Sequence, residues 1–374
     1  MSASPINDPF QNIRPYHDSE VSDVLNRLIH DDELISVLTR YQFPQMASLF
    51  GWLLKPAIRI FLAQKTGEIE TIQDFQTLIA SYMTKMIGRT TTRLSCSGIE
   101  ALDTDEAYLF VSNHRDIAMD PAFINWALYQ NGFDTLRIAI GDNLLRKPYV
   151  SDLMRLNKSF IVNRSAKGRE VLTALGQLSA YIDHSLVQDE ASIWIAQREG
   201  RAKDGNDFTD PAILKMFYMA HRKQRSFAEF VERAKIVPVS ISYEYDPCDS
   251  AKALELDSKQ QGGEYQKSQF EDIESIVAGI NGDKGHVHVA FGEVIDGLDT
   301  PDELAAEIDR QIIESYYLHP SNLLAAGVES VAIGEEQKAQ FAARFDGLPE
   351  SAAEILRQMY ANPVLNKRKY QEAV

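Results

Sequence analysis

Seven short runs rich in β-branched and aromatic residues constrain this chain more than any other feature. They are TRLSCSG, AYLFVSN, LRIAIG, SFIVNR, SIWIAQ, KIVPVSISYEY and HVHVAFGEV, spread from Thr92 to Val294 with helical stretches between them. Strands that alternate with helices pair through right-handed crossovers. The pattern therefore predicts an α/β fold: a mixed, largely parallel sheet flanked by helices.

No strand pattern precedes Thr92. Val21, Val24, Leu25, Leu28 and Ile29 recur at helical spacing, as do Phe75, Leu78, Ile79 and Tyr82. Beyond the last β run the texture is helical again, opened by Thr300 or Asp299 as cap with Pro301 in the first turn. The expected organisation is an N-terminal helical region over 1–90, an α/β domain over 91–298 and a C-terminal helical extension over 299–374. Between the last two strands, DSKQQGGEYQKSQ reads as a polar surface excursion.

At 374 residues, 44% of them hydrophobic, the chain can bury a large core. A formal charge of −16 weighs against a general electrostatic grip on nucleic acid, so any phosphate contact has to be local. Cys96 and Cys248 lie far apart without a metal or disulfide spacing, which fits a reducing compartment. The N-terminal segment has no apolar signal core, and nowhere do eighteen uncharged apolar residues run together. The expected location is the cytoplasm. The stretch SLFGWLLKPAIRIFLAQK, residues 48–65, has two readings: a helix on its own core, or a peripheral contact with the inner face of a membrane.

In an open α/β sheet, ligands collect beyond the carboxyl ends of strands. Here those positions are polar. They carry His114-Arg115-Asp116 with Asp120, then Arg164-Ser165, then Arg198-Glu199-Gly200-Arg201-Ala202-Lys203, then Asp246. A kinase loop would need Asn where Pro121 stands, and no phosphate-binding glycine loop or serine elbow occurs. His114, Asp116 and Asp120 have the chemistry of metal ligands, but the other strand ends offer mainly cations. A histidine that takes a proton from a hydroxyl, beside arginines that hold a phosphate, fits better. Acyl transfer from a thioester completes that chemistry without a protein nucleophile or a metal.

The four blocks NHRDIAMDP, FIVNRS, IAQREGRAKDG and IVPVSI occur in one order over roughly residues 92–245. In this they resemble the glycerol-3-phosphate and 1-acylglycerol-3-phosphate acyltransferase family. The resemblance implies His114 as general base and Asp120 as its orienting carboxylate. It further implies Arg164, Glu199, Gly200 and Arg201 as contacts to the glycerol phosphate, with Lys203 sharing that role. The donor would be an acyl-CoA or acyl-ACP thioester, with no other cofactor and no metal, and an acyl carrier protein is then an expected partner.

Five residues separate His114 from Asp120 where the family pattern has four, so Asp116 and Asp120 both stand as partners for the histidine. Asp120, just before Pro121, also suits a helix cap, and Ser165 suits the cap of the helix that follows. Two further readings are a metal-dependent hydrolase built on His114, Asp116 and Asp120, and an inactive relative that only binds lipid or acyl carrier.

Overall fold

The computed structural model describes residues 8–43, 45–262, 271–328 and 333–373. All seven β-rich runs form strands: β1 Arg93–Ser97, β2 Leu109–Ser112, β3 Arg137–Gly141, β4 Ser159–Val162, β5 Ile193–Ala196, β6 Ile236–Tyr243 and β7 His286–Phe291. Helices precede them as α1 Asp18–His30, α2 Asp32–Gln42, α3 Ala47–Thr66 and α4 Ile72–Thr90. Among the strands lie α5 Met119–Gln130, α6 Pro148–Leu156, α7 Arg169–Val187, α8 Pro211–Tyr218, α9 Phe227–Ala234, α10 Asp249–Gln260 and α11 Glu271–Asn281. The chain closes with α12 Pro301–Ser315, α13 Pro320–Ala325, α14 Glu335–Ala343 and α15 Glu350–Ala373.

The chain forms two compact units. One comprises Met1–Tyr82 and Arg137–Ala174; the other comprises Met83–Leu136 and Leu175–Val374. In the first, Val21, Val24, Leu25 and Leu28 of α1 pack with Leu34, Ile72, Phe75 and Leu156. Burying such a stripe is what holds a short amphipathic helix in water. The pair β3 and β4 runs parallel. Several apolar residues of α3 stay exposed: Trp52 is 76% exposed, and Leu53, Ile60 and Phe61 are exposed with it.

In the second unit the strands lie in the order β1-β7-β6-β2-β5. The neighbours β1/β7, β6/β2 and β2/β5 are parallel, and β6/β7 is antiparallel. Every residue of β6 is buried, as in a strand covered on both faces. Thr300, not Asp299, caps α12, in a reciprocal arrangement with Glu303. A C-terminal core gathers Tyr245, Ala253, Phe341, Ala352, Leu356, Met359 and Tyr360. Residues 257–260 of the polar excursion continue α10, whereas 263–269 lie outside the described residues. Among the described residues, no helix is long and apolar enough to cross a membrane.

Candidate active site

The chain leaves the sheet at the end of β2 under tight control. Ser112 takes a hydrogen bond from Trp194 Nε1 at 2.9 Å. The Asn113 amide then pairs both ways with the backbone of Ile241, donating to its carbonyl at 2.9 Å and accepting from its N–H at 2.8 Å. A side chain thus replaces a ladder partner and fixes where the next residue emerges. That residue is His114, whose ring meets the indole of Trp194 edge to face at 5.7 Å.

Two carboxylates follow, and they do different work. Asp116 Oδ1 accepts the N–H groups of Ala118 and Met119 at 3.0 and 2.9 Å, so it caps the turn that leads into α5, whose own N-cap position is Ala118. Asp120 lies inside the first turn and is not the cap. Its Oδ2 accepts from His114 Nδ1 at 2.8 Å and from the backbone of Arg115 and Asp116 at 2.6 and 2.9 Å. Its Oδ1 accepts from the Tyr243 hydroxyl at 2.7 Å. Between His114 and Asp120 the extra residue relative to the family pattern is absorbed in the turn that Asp116 caps, and the two side chains still meet.

With Nδ1 given to a carboxylate, the lone pair of the imidazole sits on Nε2. Burial, followed by Asp120 and Asp116, pushes the Tyr243 phenol well above its ordinary value, so it stays a donor. Burial, followed by Asp120, also raises Asp116 above the usual carboxylate range. Asp116 Oδ2 is buried without a hydrogen-bond partner, against Gly279 of α11, where an added Cβ would come within 2.3 Å of it. Asp120 is fully buried, with three donors on Oδ2 and the Tyr243 hydroxyl on Oδ1.

The segment after β5 closes over this block. Gln197 N–H donates to Ser112 O at 2.8 Å, and Ala202 N–H donates to His114 O at 2.9 Å. Arg198, Glu199 and Gly200 form an exposed tip between those two anchors, with Arg201 half-buried behind them. Arg201 reaches Ser275 at 3.4 Å, and Lys203 forms an ion pair with Glu255. Beneath the tip, the buried pair Arg115 and Asp207 meets at 2.6 Å. Burial opposes the guanidinium charge, but Asp207 leads the neighbours that hold it above its ordinary value. Lys252 links Asp246 to the Arg115 carbonyl, which its amine meets at 2.7 Å.

Arg164 belongs to the other compact unit. It follows β4, where Asp142 accepts its N–H at 3.1 Å and that of Ser165 at 3.2 Å. Helix α7 begins only at Arg169, so Ser165 is not its cap. The sequence reading missed Tyr243, Asp207 and Lys252, since each acts on a residue far away in the chain. Tyr243 closing an apolar strand pattern was the one available signal.

Residues 93–243 match the family model described as Acyltransferase. The match opens with β1 and closes on Tyr243, and so spans the whole His114–Asp120–Tyr243 arrangement. No curated protein matches the chain. Among solved structures, the 1-acyl-sn-glycerophosphate (LPA) acyltransferase PlsC from Thermotoga maritima is similar at a TM-score of 0.41 and 13% identity, over 75% of this chain and 92% of that chain.

Proposed function

We propose that the protein moves a fatty acyl group from an acyl-CoA or acyl-ACP thioester to a hydroxyl of glycerol 3-phosphate or its 1-acyl derivative, a reading supported by the match of residues 93–243 to the Acyltransferase family model. The observation that carries this reading is the His114–Asp120 pair at 2.8 Å, with a cationic, exposed loop tip tied to the carbonyl of the same histidine.

In this reading His114 Nε2 takes the acceptor hydroxyl proton as the oxygen attacks the thioester carbonyl. Asp120 holds the ring and stabilises the imidazolium that forms, and the proton then goes to the departing thiolate. Arg198 and Arg201 bring positive charge to the acceptor phosphate, beside Glu199 and Gly200. The ion pair of Lys203 with Glu255 makes it a second-rank contact. Of the alternatives, a metal-dependent hydrolase is disfavoured by the four donors that Asp120 already accepts in full burial.

The acceptor also bears on the surface of α3. A 1-acyl derivative lives at a bilayer, and the exposed Trp52, Leu53, Ile60 and Phe61 accompanied by Lys55 suit peripheral contact there.

Thiol release from a long-chain acyl thioester, with and without each acceptor, tests the reading. Acceptor-dependent release is expected, and His114→Ala should lower it by about 10² to 10⁴. Arg201→Ala should raise the acceptor concentration required. Release that ignores the acceptor, or that survives in His114→Ala, would overturn the assignment.

A further inference from the structure

Helix α15 lies wholly outside residues 93–243, yet it contains three poor choices for a helix interior, Asn362, Pro363 and Asn366. Each is explained by the loop that carries the cationic tip. Asn362 Nδ2 donates to the Asp204 carbonyl at 2.5 Å, with its own Oδ1 held by Gln358 at 2.5 Å. Asn366 Nδ2 donates to Asn206 Oδ1 at 3.1 Å. Pro363 has no N–H to give to the Met359 carbonyl four residues back. Gly205 packs against that same oxygen, so closely that an added Cβ would lie 2.2 Å from it, and it does so with φ of +80°.

From the other side, Asp309 of α12 accepts both the N–H and the hydroxyl of Thr209, at 2.7 and 2.6 Å. Asp207, between these anchors, takes the Arg115 ion pair. Residues 204–209 are therefore gripped from two C-terminal helices and from the histidine block, while 198–200 remain exposed.

We infer that α15 is a positioning element for the acceptor: Asn362 and Asn366, with the close contact at Gly205, set where the Arg198–Arg201 tip meets the substrate phosphate. The inference rests on the acyltransfer reading for its substrate, but the bracing itself does not. Groups that grip a phosphate work only when held to within about 0.5 Å by supporting hydrogen bonds. Here the support comes from a helix that makes no chemistry of its own.

The test is the double variant Asn362→Ala/Asn366→Ala in the full chain, with Gly205→Ala as a second route to the same displacement should the first fail to fold. Two readouts are taken. Amide hydrogen exchange over 198–206 should speed up by about tenfold or more. The acceptor KM should rise by about tenfold, with the donor KM unmoved and kcat changed less than about threefold. A general loss of structure would instead lower kcat and raise both KM values together. Exchange identical to wild type in a folded variant overturns the bracing. Faster exchange with an unchanged acceptor KM overturns the positioning of the phosphate contact. If wild type releases no thiol with either acceptor, the acyltransfer reading falls, and the exchange result alone decides whether α15 holds the loop.

Discussion

Asp116 and Asp120 look interchangeable in the sequence, and a pair of substitutions separates them. In Asp120→Asn, an amide stands where two backbone N–H groups and an imidazole all donate, so the ring loses its holder; turnover should drop by about 10² to 10⁴. Asp116→Asn keeps an oxygen for the cap of the turn that leads into α5 and removes a buried charge that burial and Asp120 disfavour. Its turnover should stay within about threefold of wild type, and its urea midpoint at neutral pH should equal or exceed the wild-type value. Equal loss of turnover in both variants would sink the distinction. His114 and the Asp120 option were legible from the block NHRDIAMDP alone. The choice between the carboxylates was not, because it depends on a tyrosine 123 residues away and on which oxygen meets which N–H. Hydrogen bonds between distant residues leave no local pattern.

At the scale of elements, strands were the legible part. Six of the seven were marked by Val, Ile, Phe or Tyr, since those side chains suit a half-buried or fully buried pleat; β1, RLSCS, carries none of them. Side-chain clusters built across them were not. Ser95 of β1 bridges His286 and His288 of β7 at 2.7 Å each, and the ring of His319, the N-cap residue of α13, lies tilted at 4.8 Å from that of Tyr317 and edge to face at 5.0 Å from that of His286. Burial, then Arg93, takes His286 down to about 4 and also lowers His288; burial, then His286, takes His319 to about 3. The folded state refuses protons that the unfolded chain accepts from about pH 6.5 downward. Stability is therefore lost as pH falls from about 6.5 toward 4, with no contribution above that window, at a slope of at most about 1.4 kcal/mol per pH unit for each histidine. Urea midpoints taken between about pH 7.5 and 5 should fall less steeply in His286→Gln/His288→Gln than in wild type. Parallel slopes would show that these rings do not carry the acid sensitivity.

For the whole molecule, composition foresaw a large core, and the hydrophobic periodicities foresaw the helix–sheet–helix order. The segment holding β3, α6 and β4 clusters with the N-terminal helices, a long-range preference that no window of sequence displays. The exposed face of α3 belongs at this scale too. Liposome flotation of the full chain should be reduced several-fold by Trp52→Glu, since a charge in place of an interfacial indole opposes insertion. Flotation unaffected by the substitution would remove α3 from any lipid contact.

The strand order has one more implication. Residues 93–243 include β1 and β6 but not β7, the strand that lies between them. A fragment cut at those limits would strip β1 of its partner β7 and lay open the edge of β6 over Val239–Tyr243, a buried stretch with unpaired backbone groups. Such an edge is a template for self-association. Produced alone, the fragment should pellet or elute as large oligomers, while the chain that keeps its C-terminal half should not, with size-exclusion chromatography separating the two outcomes. Recombinant work on this domain has to carry the later residues along.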